Sequence, residues 1–362
     1  MTISSVELCR YGLPLTDPLP LGDRSISERR GLLLCVVLES GAMGWGDIAP
    51  LPGFSAESLD ACVESARRVR NEWTGHTLSE TSMEAFVAAL PFPEGTPASV
   101  RFGGESAIVS AVANARSVPL PRLLGADRDV LSLNALVGAD ASHDLAEIGH
   151  KLRTDGYRAV KLKVGRTDVA SDAKRVRSLS RALGDAVALR LDANRAWSVG
   201  DARGFLDTIR DVNLEYIEEP LAVPDRLPEL IDATGARVAL DETTRERSPD
   251  ILSEWPVQAV VLKPTLLGGV QATRTWAAAA RRQGATPVVS ASYESGVGSR
   301  MLAALALSIS DAPAGLSPYT RLAQDVLTDR LPLGGSQAEW GALAHPSVER
   351  SRLQCLSSDR EP

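Results

Sequence analysis

The sequence predicts an α/β protein: a parallel (β/α) barrel of the TIM type, preceded by a smaller α+β unit. Three observations predict it. From about residue 130 onward, short β-rich runs alternate with helical stretches, and repeated βα units imply a parallel sheet that closes on itself. Ionisable residues fall at the ends of successive runs, one βα unit apart. No glycine-rich phosphate turn follows the first of these strands, which disfavours an open doubly wound sheet.

The first hundred residues read differently. Residues 3–11 and 31–39 are strands by their apolar content, and the stretch between them, Pro14 to Arg30, is rich in Pro, Gly, Asp and Arg and reads as a mobile loop. Trp45 to Asp47 leads into the tight apolar turn Pro50 to Ser55, after which a helix over 56–73 opens on Ser55 as its N-cap. Pro91 to Pro97 marks a boundary, giving an α+β domain over 1–100. Barrel strands are predicted near 130–136, 158–164, 187–193, 214–218, 237–241, 257–263, 286–292 and 314–317. Helices fit between them at 168–183, 199–210, 224–234, 245–254, 270–284 and 299–310, and Ser198 followed by Asp201 has the pattern of a capping box. The barrel domain spans 101–318. Beyond it the repeat is lost, and 319–362 is expected to pack back on the N-terminal unit.

Composition sets the class. A 362-residue chain with 44% hydrophobic and 23% charged residues is ordinary for a soluble globular protein. Its net charge of −7 argues against a nucleic-acid or anionic-membrane partner. No apolar run approaches the ~18 residues of a membrane span, and the longest, Met301 to Ile309, suits a buried helix. The N-terminus shows no secretory pattern. Cys9, Cys35, Cys62 and Cys355 are scattered without a CxxC pair and read as reduced structural thiols of a cytoplasmic protein. The sequence is silent on oligomeric state.

Only five of the 39 basic residues are lysines: Lys151, Lys161, Lys163, Lys174 and Lys263. Guanidinium stays protonated and cannot serve as a base, so a lysine kept where arginine is otherwise preferred marks a place for a titratable amine. Strand parity sorts them, because residues i and i+2 share a face. In Ala159–Val164 the apolar Val160, Leu162 and Val164 face the helices, leaving Lys161 and Lys163 inside the barrel. By the same rule Arg190, Asp192 and Asn194 point inward, and Glu218 points inward whereas Glu219 does not. Asp241 and Lys263 end the next two strands. From Lys163 the intervals are 29, 26, 23 and 22 residues, one βα unit each. Taken singly, an Asp after a strand is more often a helix cap and a strand-end Lys a solvated rim residue. Together, buried lysines and a buried acid trio are costly without compensation, and a shared cation supplies it. Three carboxylates without a histidine specify a hard, oxygen-loving ion, most simply Mg²⁺ with Mn²⁺ as a substitute. None of His76, His143, His150 or His345 falls at a strand end, which counts against histidine-based catalysis. Such an ion grips a substrate carboxylate and stabilises the enediolate formed when the neighbouring carbon loses its proton. Lys161, roughly 7 Å along the strand from Lys163, is expected to depress the Lys163 pKa.

These residues carry a resemblance. Lys161-Leu-Lys163, Leu191-Asp192-Ala193-Asn194-Arg195-Ala196-Trp197, Ile217-Glu218-Glu219-Pro220, Leu240-Asp241-Glu242 and Leu262-Lys263-Pro264-Thr265 resemble the enolase superfamily, muconate-lactonizing subgroup. Gly44 to Ser55 and Ser290 to Gly296 resemble the branch of that subgroup that dehydrates 2-succinyl-6-hydroxy-2,4-cyclohexadiene-1-carboxylate in menaquinone biosynthesis. The resemblance implies a modified (β/α) barrel with an N-terminal capping domain completed by the C-terminal segment, and a small-molecule carboxylate as substrate. It matches Lys163 to the general base and acid, Lys263 to the opposing lysine, and Asp192, Glu218 and Asp241 to the Mg²⁺ ligands. Lys161, Asn194 and Arg195 match supporting positions, and Ser290, Ser292 and Glu294 the substrate-side wall. Other readings stay open: an N-succinylamino-acid racemase or dipeptide epimerase on the same scaffold, a Schiff-base aldolase barrel, and a binding protein that keeps the fold. Epimerases of this type carry Asp-x-Asp at the eighth strand, and Gly315 to Tyr319 has none.

Overall fold

The computed structural model describes residues 1–21, 24–78, 82–138, 144–344 and 347–356. Among the described residues the strands are β1 (Ile3–Leu21), β2 (Arg24–Leu38), β3 (Met43–Ile48), β4 (Val130–Ser132), β5 (Ala135–Val137), β6 (Ala159–Lys163), β7 (Ala188–Asp192), β8 (Leu214–Glu218), β9 (Val238–Leu240), β10 (Ala259–Leu262), β11 (Thr286–Val289), β12 (Gln337–Glu339) and β13 (Gln354–Cys355). β1, β2 and β3 form an antiparallel sheet to which β13 adds at the outer edge of β1. β5 to β11 form a seven-stranded parallel sheet in sequence order. The eighth position is an extended pair of residues rather than a full strand: Ala314 bridges Leu133 and Gly315 bridges Ser290, so this pair joins the two edges of the sheet and closes the ring. β12 pairs with β4 beside it.

Several elements depart from the sequence reading. The stretch Pro14 to Arg30, expected as a loop, carries the outer half of a long hairpin, with residues 22–23 outside the described ones. Prolines 14, 18 and 20 are tolerated there because β13 pairs with β1 only at Cys9 and Arg10, leaving the rest of that edge without a neighbour that needs their missing N–H. The register slips between Pro14 and Leu19. The first helix is Leu59–Trp73, capped by Ser58 and not Ser55, whose hydroxyl instead accepts from Leu51 N at 2.9 Å within the turn. The helix expected over 245–254 is broken into a turn at Thr243–Glu246 and a 3₁₀ segment at Pro249–Ser253, since Pro249 offers no N–H to continue a helix. The Ser198–Asp201 capping box is present. Cys9 and Cys355, read as reduced thiols, are joined in a disulfide across 346 residues of sequence, while Cys35 and Cys62 are free and buried. The cysteines therefore no longer argue for a reducing compartment. Among the described residues no helix is long and apolar enough to cross a membrane.

The sequence reading also lacked the helices Met83–Ala88, Leu120–Leu123 and Leu145–Thr154, and the long one that joins the two units. Ala98–Ala115 is buried on all sides, so it has no polar face to give a 3.6-residue signal. It packs against β3 on one side and the barrel helices on the other. The approach to β3 is backbone to backbone: a Cβ at Gly44 would stand 2.1 Å from Ala107 O, and one at Gly46 1.8 Å from Gly103 O. The same helix carries Glu105, 3% exposed, which accepts from the Gln271 N–H at 2.9 Å at the start of the Val270–Arg282 helix.

Burial pushes the Glu105 carboxyl up to about 7, against the opposing pull of its bonds from Gln271 and Val270. A raised folded-state pKa means the native state holds its proton more tightly than the unfolded chain. This contribution to stability is thus fully present below about pH 4.5 and is lost as pH rises through about 7. Glu105→Gln removes the titration. Urea unfolding of the two proteins at pH 5 and pH 8 is expected to show the variant gaining about 2–3 kcal/mol relative to wild type at the higher pH.

Candidate active site at the mouth of the barrel

The inward face of the barrel is layered. Deepest lie Tyr216, Ala239, Ala259 and Val261, a small apolar cluster separate from the main core. Arg190, fully buried, stacks 5.2 Å from the Tyr216 ring and is held by Glu215 (2.6 Å), Asn134 (3.1 Å) and the Pro313 carbonyl (2.8 Å). Above this plug the charged residues begin. Register aligns Lys163 with Asp192, Asp192 with Glu218, and Glu218 with Ala239, two residues before Asp241. The parallel ladder thus lines these groups along the C-terminal rim, where barrels of this type place their chemistry.

Lys161 Nζ lies between two acids, 3.0 Å from both Glu218 oxygens and 3.1 Å from Asp192 Oδ2. Lys263 Nζ pairs with Asp241 Oδ2. Lys163 Nζ donates to Asn194 Oδ1 at 2.8 Å and stands 3.7 Å from Asp192. Its side chain is 33% exposed against 14% for Lys161 and 17% for Lys263, so Lys163 is the amine most open to an incoming molecule. Burial works to lower the Lys161 and Lys263 amines, but the surrounding carboxylates outweigh it and hold both above the usual lysine range. Burial also works to raise Asp192, yet the three ammonium groups hold it well below the usual carboxylate range. Glu218 goes the other way: burial and the neighbouring Asp192 charge push it well up. Two acids in one site are thus driven apart.

The donor chemistry fits a hard cation: Asp192, Glu218 and Asp241 are at most 3% exposed and offer only oxygen. Two further buried atoms at this mouth, Glu242 Oε2 and Ser292 Oγ, have no partner among the described residues. The oxygens of the trio do not all lie within 4.8 Å of one another; among the described residues only Glu7, Cys9 and Cys355 meet that spacing, and there the two sulfurs are bonded to each other. At the rim the Lys161 ammonium occupies the space between Asp192 and Glu218. His76 lies in the connection after the Leu59–Trp73 helix and His150 on the Leu145–Thr154 helix, while His143 and His345 lie outside the described residues.

The supporting residues interlock. Asn194 accepts from Lys163 and donates from Nδ2 to Glu242 Oε1 at 3.2 Å. Arg195 donates to Glu219 (3.1 Å), Glu246 (2.7 Å) and Thr243 Oγ1 (3.0 Å). Ser290 lies at the joint with Gly315, its hydroxyl 3.3 Å from that carbonyl. Glu294 turns its carboxylate into the core, accepting from Thr265 Oγ1 and from Ser292 N, each at 2.6 Å, so it holds the wall from behind. Sequence reasoning passed over Glu219. Parity placed it outside the barrel, and it is indeed outside, but buried. It accepts from Asp241 N (2.9 Å), Thr243 N (2.8 Å) and Thr243 Oγ1 (3.1 Å), fixing the start of the loop that carries Asp241. Asn194, Arg195, Glu219 and Tyr293 all adopt positive φ, a strain that non-glycine residues sustain only where their surroundings over-determine them.

Replacing Glu219 by Ala removes the buried one of the two carboxylates that pair with Arg195, leaving the more exposed Glu246, and leaves the N–H groups of Asp241 and Thr243 unsatisfied. The expected loss is about 2–6 kcal/mol of unfolding free energy, from about 1–3 kcal/mol for each buried N–H left unsatisfied, read from urea denaturation.

Residues 144–346 match the enolase C-terminal domain-like family and residues 3–108 the MenC N-terminal domain. The o-succinylbenzoate synthase of Salmonella paratyphi B is 31% identical over 357 residues, covering 97% of this chain and 99% of that one. Among solved structures, the L-Ala-D/L-Glu epimerase of Bacillus subtilis superposes with a TM-score of 0.82 at 23% identity over 96% of this chain and 98% of its own. The muconate lactonizing enzyme of Pseudomonas fluorescens does so with 0.82 at 23% identity, over 97% and 98%. The chain belongs to the o-succinylbenzoate synthase family of the enolase superfamily and is an enzyme of the lyase class.

Proposed function

We propose that this enzyme carries out the syn dehydration of 2-succinyl-6-hydroxy-2,4-cyclohexadiene-1-carboxylate to o-succinylbenzoate in menaquinone biosynthesis. The observation that carries the reading is one rim on which Lys163 and Lys263 flank a buried acid trio, in a chain matched end to end by relatives named for that product. Asp192, Glu218 and Asp241 would hold Mg²⁺, or Mn²⁺ in its place, which when bound supplies positive charge against the substrate carboxylate and the enediolate. Lys163 Nζ, in its neutral form, takes the proton from the carbon bearing the carboxylate. The same ammonium then returns that proton to the departing hydroxyl on the same face. The C–O bond breaks, water leaves, and the ring becomes aromatic, so no oxidant or reductant is needed. Asn194 orients Lys163 through their hydrogen bond. Lys263, beside Asp241, would face the developing anion and the ring as an ammonium, where a cation–π contact adds to its attraction. Lys161 balances Asp192 and Glu218.

The second reading is racemisation or epimerisation of an N-succinylamino acid or dipeptide, favoured by the barrel's likeness to an epimerase. It needs both lysines to move protons, whereas dehydration needs one. Chelation with EDTA is expected to abolish dehydration, with Mg²⁺ or Mn²⁺ restoring it. Lys163→Arg is expected to lower kcat by roughly 10²–10⁴-fold, the usual worth of a positioned acid–base group, while Lys263→Arg keeps measurable turnover. Equal and complete loss in both variants, with racemisation of an N-succinylamino acid by the wild type, would replace the first reading by the second.

A further inference from the structure

The residues after β11 clamp Lys263 from both sides. Ser290 N donates to the Leu262 carbonyl at 2.8 Å, one residue before the lysine. Thr265 Oγ1 donates to Glu294 at 2.6 Å, two residues after it. Ser292 and Tyr293, between those anchor points, form the wall beside it. What holds this segment comes from the N-terminal sheet. Arg29, on β2 and 2% exposed, donates from Nε to the Tyr293 carbonyl at 3.1 Å, and spends its other nitrogens on Pro50 O (3.0 Å) and Ala49 O (2.9 Å). Asp47, on β3 and fully buried, accepts from both the backbone N–H (2.8 Å) and the hydroxyl (2.9 Å) of Ser295, and from Tyr11 OH (2.7 Å). Among the described residues neither charge has an ion-pair partner within salt-bridge distance, and each is met by aimed dipoles instead. Such a charge is retained for the geometry it imposes, because a neutral side chain would be cheaper to bury. The Gly296–Ile309 helix is shaped to receive it: a Cβ at Gly298 would stand 2.7 Å from Asp47 Oδ2. Tyr293 is held at φ +63° between the two attachments.

We propose that Arg29 and Asp47 are positioning residues for the reaction: the N-terminal domain, through the Ser290–Ser295 segment, sets where Lys263 stands. This rests on the function proposed above only for its kinetic arm. A purely architectural role would cost stability and leave turnover per folded molecule intact.

The test uses full-length Asp47→Asn and Arg29→Lys, which keep size or charge while removing bonds. Two quantities are read well below the melting temperature: kcat and KM for dehydration, and amide hydrogen exchange of the peptide over 290–299 without substrate. The expected result is at least tenfold lower kcat with KM changed less than threefold, and at least tenfold faster exchange. Values of kcat and exchange within twofold of wild type overturn the proposal. So does faster exchange with unchanged kcat, or lower kcat with unchanged exchange, since either breaks the link between wall and turnover. If both variants fail to fold, Ser295→Ala, which removes one hydroxyl from Asp47, is expected to lower kcat at least threefold and speed exchange at least threefold; no change overturns. Should the wild type not dehydrate the cyclohexadiene substrate, the function proposed above falls by itself. The exchange arm then decides this inference alone.

Discussion

Charge compensation at the barrel mouth is the constraint from which the rest of the structure follows. Three carboxylates are buried on successive strand ends, and none could stay ionised there alone. In this structure the ammonium groups of Lys161, Lys163 and Lys263 supply the counter-charge. The result is uneven: Asp192, facing three amines, is held well below the usual carboxylate range despite its burial, while Glu218, buried and beside the Asp192 charge, is pushed the other way.

Holding those groups in register demands a rigid frame, and the frame is built in two layers. The parallel ladder sets the height of each residue. Behind it, Glu219 and Arg195 tie the end of β8 to the loop carrying Asp241 and Thr243, and Glu294 ties the wall to Thr265. The strained backbone at Asn194, Arg195, Glu219 and Tyr293 gathers at these rim turns. Asn194, Arg195 and Glu219 are each fixed by several bonds, and Tyr293 by the Arg29 bond to its carbonyl, which lets the surroundings sustain the strain.

The N-terminal domain is bound into this frame by more than surface contact. The Ala98–Ala115 helix lies backbone to backbone on β3, and Glu105 reaches across to the start of a barrel helix. At the other end, two acids converge on the Gly296–Ile309 helix: Asp47 from β3 on Ser295, and Asp325 on the Gly296 N–H at 2.8 Å. A side chain at Gly296 would collide with Asp325, just as one at Gly298 would meet Asp47. Gly296-Val297-Gly298 thus leaves the space that two carboxylates need.

The sequence by itself determined the barrel, the order of its strands, and the identity of the charged residues on its rim. It could do so because strand parity is a local property with period two, and because lysine is rare enough here for each occurrence to carry weight. Tertiary structure alone decided which of those groups neutralises which. It also decided that Glu294 and Glu219 brace the site from behind, that Cys9 meets Cys355, and that a helix without amphipathic signal fills the joint between domains. Those outcomes depend on contacts between segments tens to hundreds of residues apart, and a burial pattern that is uniform around a helix, or a partner on another domain, leaves no periodic trace in the chain that encodes it.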